Sequence, residues 1–316
     1  MATPIRIGVS ACLVGRPVRF DGQHKRSRFL TDTLGPLVEW VEVCPEVELG
    51  LGIPRESLRL VRGDGVRLVA PASNRDLTAE MTDFARAKCE KLAAANLSGY
   101  VTKSRSPTCG LERVRVYDDA SHGAGARKEG VGFFVTALKE ALPNLPVEEE
   151  GRLEDEMLRE NFLTRVFAYA RLQSLWRSAW RLGDLVALHA REKMLLLAHS
   201  TVEYRALGRL VAAAKGMPRD ELIKRYESAF MAALAKPATP GRHANVLMHM
   251  AGHLKKRLET RDRDELLQLI DAQRVGQAPL VMPLVLLAHH VRKLGLAYLS
   301  TQSYLAPAPR ELLARP

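Results

Sequence analysis

Cys109 sits in Lys103-Ser-Arg-Ser-Pro-Thr-Cys-Gly110, where Pro107 and Gly110 forbid regular structure and force a turn. The turn presents a thiol beside the hydroxyls of Ser106 and Thr108. A strand-end loop of Ser, Cys and Gly is where an α/β protein keeps its chemistry. Two more cysteines occupy the same kind of place. Cys12 follows the apolar run Ile5-Arg-Ile-Gly-Val9, and Cys44 follows Val41-Glu-Val43. Three thiols, each just past a strand, can converge on one edge of a parallel sheet. Glu46 comes two residues after Cys44, and Ser106 three before Cys109. A carboxylate there could move protons, and a hydroxyl could orient water or hold an oxyanion. Taken singly, Cys-Pro-Glu and Ser-Pro are ordinary turn sequences; the three loops together make the case for a site.

The spacing narrows the chemistry. Structural zinc favours four ligands, often in Cys-x-x-Cys pairs, and no such pair exists. A ferredoxin-type cluster wants four cysteines, several of them close together. A radical enzyme of the S-adenosylmethionine type would gather its three in one short motif. Three distant cysteines can still bind three irons of a [4Fe-4S] cluster. The fourth iron then stays open to a substrate atom, as a Lewis acid with affinity for sulfur. Cys89 stands apart from the other three. It falls on the helical stripe Leu77, Met81, Phe84, Ala85, Cys89 and Leu92, which makes it a buried structural thiol.

The elements that must position these loops can be read in order. Residues 5–9, 39–43, 58–62, 66–69, 99–102 and 111–117 have the pattern of strands, with a hairpin around Gly63-Asp-Gly65. Residues 27–38, 78–97 and 130–142 have the pattern of helices, while 44–55 is too broken by Gly and Pro for one. Such alternation predicts an α/β N-terminal domain with a mainly parallel sheet. The segment Pro143-Asn-Leu-Pro-Val-Glu-Glu-Glu-Gly151 breaks both periods and marks the domain boundary, giving domains 1–147 and 148–316. Beyond it the pattern is helical: 155–181, 182–198, 202–215, 218–235, 241–259, 262–274, 280–293 and a last turn near 310. The expected fold is therefore α/β followed by an all-α C-terminal domain.

Composition sets the partners. The chain has 316 residues, 47% of them hydrophobic, and a formal net charge of +11, which favours a polyanion such as nucleic acid. Residues 148–316 hold 26 Lys and Arg against 19 Asp and Glu, and residues 1–147 hold 21 against 17, so the helical half is the more basic. Four scattered cysteines in a long chain are no disulfide scaffold. The N-terminus lacks the apolar run of a signal peptide, and the most apolar stretch, 279–288, is too short to span a bilayer. A cytoplasmic protein is expected, with no membrane partner.

Val9-Ser-Ala-Cys-Leu with Val18-Arg-Phe-Asp-Gly22, then Cys44-Pro-Glu46 with Gly50-Leu-Gly-Ile-Pro-Arg55, then the Cys109 turn, resemble the thiouracil desulfidase family over most of residues 1–145. The resemblance implies a [4Fe-4S] cluster on Cys12, Cys44 and Cys109, with Glu46 as acid/base and Ser106 as the family's serine. It implies that the free iron takes sulfur from a thiolated pyrimidine base. Lys193-Met-Leu-Leu-Leu-Ala-His-Ser200, Asn245-Val-Leu-Met-His249 and Tyr298-Leu-Ser-Thr-Gln-Ser-Tyr-Leu-Ala-Pro307 resemble the helical domain often fused to that module. Fusions of this RudS type are implied to take sulfur from 4-thiouridine in tRNA.

Without the family, Arg242, Asn245, His249, His253 and Lys256 share a helix face by their spacing, with Lys255 and Arg257 beside it. This reads as a phosphate-contacting face, with an ordinary solvated face as the alternative; a metal on the two histidines would lack a third ligand. His289-His290 reads as a helix end facing polar partners, and Trp176 with Trp180 as core or interface. The expected activity is desulfuration of 4-thiouridine in tRNA, with uridine and sulfide as products and no net redox change. The rivals are a desulfidase of free thiouracil or thiolated nucleosides, and a non-catalytic RNA-binding iron–sulfur sensor.

Overall fold

The computed structural model describes residues 4–121 and 123–313. The chain folds as two compact units that divide between Ala170 and Arg171. The first holds β1 (Ile5–Ser10), β2 (Val38–Val43), α1 (Pro45–Glu48), β3 (Arg59–Gly63), β4 (Gly65–Ala70) and β5 (Arg75–Asp76). It continues with α2 (Thr78–Ala93), β6 (Leu97–Thr102), β7 (Val114–Tyr117), β8 (Ala126–Gly130), α3 (Phe133–Ala141), β9 (Val147–Glu149) and the first part of α4 (Glu156–Trp176). The stretch 148–170, assigned from sequence to the helical half, lies in this first unit. The reason is visible in β9, which pairs with β6 through Tyr100 and Val147.

One sheet runs β2-β1-β6-β9, with every pair parallel. Of its inner strands, β6 is buried at every residue and β1 from Ile7 to Ser10, because helices cover both faces of such a sheet. The chain goes to one side of β1 for β2 and to the other for β6. The crevice where this order reverses opens at the carboxyl ends of β1 and β6. Gly8 lets the Tyr100 ring lie across β1: a Cβ there would stand 2.2 Å from Tyr100 Cδ2. The second sheet, β5-β4-β3-β7-β8, is antiparallel except where β3 meets β7. It packs Leu60, Leu68, Val114 and Val116 against Leu77, the N-cap of α2, and Met81 within it.

Several sequence expectations change in detail. Residues 27–38 form a π turn, Phe29–Leu34, and a 3-10 turn, Gly35–Leu37, since Pro36 removes a donor that a regular helix needs. Cys44 to Arg55 is not wholly irregular: Pro45 opens the single turn α1, where its missing N–H is no loss. Residues 126–130, where the sequence pattern only starts a helix at 130, form β8. This polar strand is mostly exposed and shows no apolar alternation. The α2 stripe is as expected, with Cys89 fully buried and its thiol pushed up to about 12 by that burial.

The second unit is built of consecutive helices: the end of α4, α5 (Leu182–His199), α6 (Thr201–Ala212), α7 (Arg219–Leu234), α8 (Pro240–Leu254), α9 (Thr260–Arg274), α10 (Val281–Lys293), α11 (Ala297–Ser300) and α12 (Arg310–Leu313). Ser200 and Thr239 cap α6 and α8 by accepting the Glu203 and Arg242 amides. Trp176 meets Trp180 and Tyr226 at 5.1 and 6.0 Å in the core of this unit. Fully buried Glu192 accepts from Arg171 at 2.7 Å and from Ser303 at 2.7 Å, and Arg171 also donates to the Pro307 carbonyl. This network ties the segment 303–307 to α4 and α5. His290 departs from expectation: it is buried, and neither ring nitrogen has a hydrogen-bond partner among the described residues. Among the described residues no helix is long and apolar enough to cross a membrane.

Two histidines of this unit carry a pH dependence. His189 Nδ1 lies 3.1 Å from the Tyr226 hydroxyl, and His243 Nδ1 lies 2.9 Å from that of Tyr304. Burial lowers both to about 4, helped by Lys193 at His189 and by His199 at His243. The unfolded chain binds protons near pH 6.5 and the folded one only near 4. Their contribution is therefore complete above about 6.5 and is lost as pH falls towards 4. Thermal melts should show Tm dropping between pH 7 and 5, and His189→Gln should flatten that slope. An unchanged slope in His189→Gln would show that His189 does not titrate on unfolding.

Candidate active site

The loop 103–110 leaves the end of β6 and is fixed at both ends. The Lys103 amide donates to Ser10 Oγ at 3.0 Å, joining it to the end of β1. Glu150, just past β9, accepts from Lys103 Nζ, from the Ser104 amide at 2.7 Å and from the Ser104 hydroxyl at 2.9 Å. Arg105 takes a left-handed conformation at the bend, φ 62°. Ser106 Oγ accepts from the amides of Thr108 and Cys109 at 3.3 and 3.1 Å, which closes the turn. The amides of Gly132, Phe133 and Phe134 then donate to the carbonyls of Gly110, Pro107 and Thr108. The turn is thus seated on the first donors of α3, which have no partners within that helix. Gly132 permits the close seat, since a Cβ there would come 2.4 Å from the Thr108 carbonyl oxygen.

Cys12 lies in the 3-10 turn Ala11–Val14 directly after β1, and Cys44 is the N-cap of α1 directly after β2. Together with Cys109 they line one cavity of about 380 Å³, and Glu46 and Ser106 line it too. All five residues read as site candidates in the first half therefore come together. Cys12 and Cys109 are buried and Cys44 is half-buried. Burial pushes the Cys12 thiol up to about 11 and the Cys109 thiol up to about 12, and raises Cys44 as well. Such thiols are weak nucleophiles on their own and become thiolates where a cation binds them. Among the described residues no three His, Cys, Asp or Glu are grouped to hold one metal ion. Three soft donors spread around one cavity instead suit a polynuclear centre, in which each thiolate takes a different metal atom. The Tyr100 hydroxyl, fully buried within electrostatic reach of Cys109 and Cys44, has no hydrogen-bond partner among the described residues.

Glu46 is held from both sides. Its Oε2 accepts from Nε of Arg55 at 3.0 Å and from the neighbouring guanidinium nitrogen. Arg55 also donates to the carbonyls of Val18 and Gly52, both at 3.1 Å, and its side chain is 5% exposed. The other oxygen, Oε1, accepts from Thr108 Oγ1 at 2.8 Å. Thr108 has one hydroxyl proton and gives it to Glu46, so Ser106, 3.0 Å away, donates to Thr108. Glu46 and Ser106 are therefore joined through Thr108 rather than directly. The sequence presents Thr108 and Arg55 within its motifs but gives them no part. Their bonds to Glu46 cross 62 and 9 residues of chain, and only the assembled loops create them.

In the second unit, Arg242 donates to the His199 carbonyl at 2.8 Å, at the end of α5, while remaining exposed at the surface. His249 and His253 are exposed on α8, their rings 5.5 Å apart. Helix α8 ends at Leu254, so Lys255, Lys256 and Arg257 lie on the turn after it rather than on its face.

Comparison with known proteins gives two family matches. Residues 7–150 match the family described as 2-thiouracil desulfurase, and residues 193–309 match a family described as protein of unknown function, DUF1722. The Escherichia coli (strain K12) protein YbgA, described as uncharacterized, is 35% identical over 157 residues, covering 49% of this chain and 93% of YbgA. The Bacillus subtilis (strain 168) protein YbbK, described likewise, is 29% identical over 139 residues, 42% of this chain and 89% of YbbK. Among solved structures, a [4Fe-4S]-dependent thiouracil desulfidase is 33% identical, with 48% of this chain and 93% of that chain covered and a TM-score of 0.40.

The buried Glu46–Arg55 pair makes a prediction about stability. Arg55→Met leaves a carboxylate without its cation and should cost about 3–5 kcal/mol. The double change Arg55→Met with Glu46→Leu should recover most of that loss. Denaturant unfolding of the full chain measures both. Equal stability of Arg55→Met and the wild type would mean that the pair does not hold this wall together.

Proposed function

The chain belongs to the 2-thiouracil desulfurase family, with a DUF1722 domain joined to it, and we propose that its substrate is 4-thiouridine in tRNA. The chain is a desulfidase by that family membership. The observation that carries the site is one cavity wall on which three thiols stand beside the chain Ser106–Thr108–Glu46. The observation that favours tRNA is the distribution of charge. Residues 171–313 hold 22 Lys and Arg against 12 Asp and Glu, so the helical unit carries +10 of the chain's +11. A polyanionic substrate is drawn to that unit and not to the nearly neutral first one.

In this reading Cys12, Cys44 and Cys109 would hold a [4Fe-4S] cluster, the cofactor of the desulfidase of known structure. Bound there, the cluster supplies an open iron with affinity for the sulfur that leaves. The protein's own groups do the rest. Glu46 Oε1 takes a proton from the water that attacks C4 of the base, while Arg55 keeps the carboxylate aimed into the cavity. Thr108 links that oxygen to Ser106, whose hydroxyl can turn from Thr108 to the C4 substituent. The C–S bond breaks, a C–O bond forms, and the two water protons leave with the sulfur, so no electrons are transferred. A base in an RNA stack must be flipped out to reach such a cavity. The proposed location is the cytoplasm, where tRNA and reduced thiols are found.

The free-base reading also has an observation behind it. The matching family is described by 2-thiouracil, a small uncharged substrate that needs no basic unit. Full-length protein reconstituted with iron and sulfide separates the two readings. Cys12→Ala, Cys44→Ala and Cys109→Ala should each lose cluster absorbance, and Cys89→Ala should keep it. Glu46→Ala should keep the cluster and lose about 10²–10⁴-fold in rate. Rapid release of sulfide from 4-thiouridine tRNA supports the proposal. Turnover of thiouracil with none on the tRNA replaces it by the free-base reading.

A further inference from the structure

The helical unit concentrates its cations further. Residues 240–258 and 272–310 contain eight Lys and Arg and no Asp or Glu. The fold brings the end of the first stretch and the middle of the second together around a cavity of about 320 Å³, lined by His253, Arg257, Gly295, Leu296, Tyr298 and Leu299. Tyr298 is 43% exposed, and its ring lies 5.6 Å from that of His253, which in turn faces His249. Lys255 and Lys256 follow α8, and Arg292 and Lys293 end α10, all four exposed. Leu299 is buried at the edge of the cavity, giving it an apolar component beside the cations.

This combination is more than a phosphate-binding surface. Contact with a duplex backbone needs only cations on an open face. A concave site with a half-exposed aromatic ring offers a base a flat apolar partner, and stacking of this kind is how single strands are held. A metal on His249 and His253 finds no third ligand among the described residues. We infer that the cavity takes one unpaired nucleotide of the RNA, with its base against Tyr298 and His253 and its phosphate on Arg257. Lys255, Lys256, Arg292 and Lys293 then meet the flanking phosphates. The inference rests on the reading of the helical unit as the RNA-docking half, and it adds that this half grips a nucleotide free of base pairing.

Binding of unmodified RNA to the full chain tests it without reference to desulfuration. The probes are a single-stranded oligoribonucleotide and a blunt RNA duplex. Tyr298→Ala should weaken the single strand about tenfold or more and leave the duplex nearly unchanged. Tyr298→Phe should bind like the wild type, since the ring is kept. Arg257→Gln should lower the slope of log affinity against log salt by about one. Equal single-strand binding by Tyr298→Ala and wild type overturns the inference, as does an equal loss for the duplex. A wild-type chain that binds neither RNA would instead remove the tRNA reading itself. Trimming the unpaired 3′ nucleotides from tRNA identifies the source. If trimming abolishes the difference between Tyr298→Ala and wild type, the nucleotide is at the 3′ end; if the difference survives, it belongs to a loop.

Discussion

The parallel pairing of β1 with β2 on one side and β6 on the other is what the cavity depends on. Because all three strands run the same way, the turns after Ser10, Val43 and Thr102 emerge at one edge. Each turn brings one cysteine. The backbone hydrogen bonds of the sheet thus set the positions of three side chains that are far apart in sequence. The bond from the Lys103 amide to Ser10 Oγ and those to Glu150 beyond β9 carry that order from the strands into the loop.

What could be read from sequence follows from how local each signal is. The inner strands announce themselves by apolar runs, and the turns after them by Gly, Pro and Ser, so the positions of Cys12, Cys44 and Cys109 at strand ends were legible. The helical stripe of α2 likewise separates Cys89 from them. The strands β5, β8 and β9 gave no such signal: they are short or polar, and their pairing partners make them strands. The end of the first unit was obscured for the same reason, since a charge run and two prolines hide the pairing of Val147–Glu149 with β6. Thr108 and Arg55 were visible as residues but not as partners of Glu46, because those bonds exist only once three loops have met. His290 shows the opposite failure: its place at a helix end suggested polar partners, and packing buried it with none among the described residues.

The two units divide the physical problem between them. The first encloses an uncommon set of thiols, with the nearby Glu46 committed to Arg55 and Thr108, and carries almost no net charge. The second carries the surplus of cations and no comparable set of thiols. Recognition of a large anion and treatment of one uncharged ring make opposite demands on electrostatics: the first wants long-range positive potential, the second a sheltered pocket with few, fixed polar groups. Under the proposed function, placing them in separate folded units would let each be met without spoiling the other.

Gly132 sits well outside every cysteine loop, yet the carbonyl of Thr108 lies where its side chain would be. A methyl group at that position would press on the residue that joins Ser106 to Glu46. A related chain could therefore keep all three cysteines, the glutamate and the serine and still have a differently shaped cavity, solely because position 132 had drifted. Transfer of an activity between such chains is safer when it asks for this distant glycine as well as for the residues that touch the substrate.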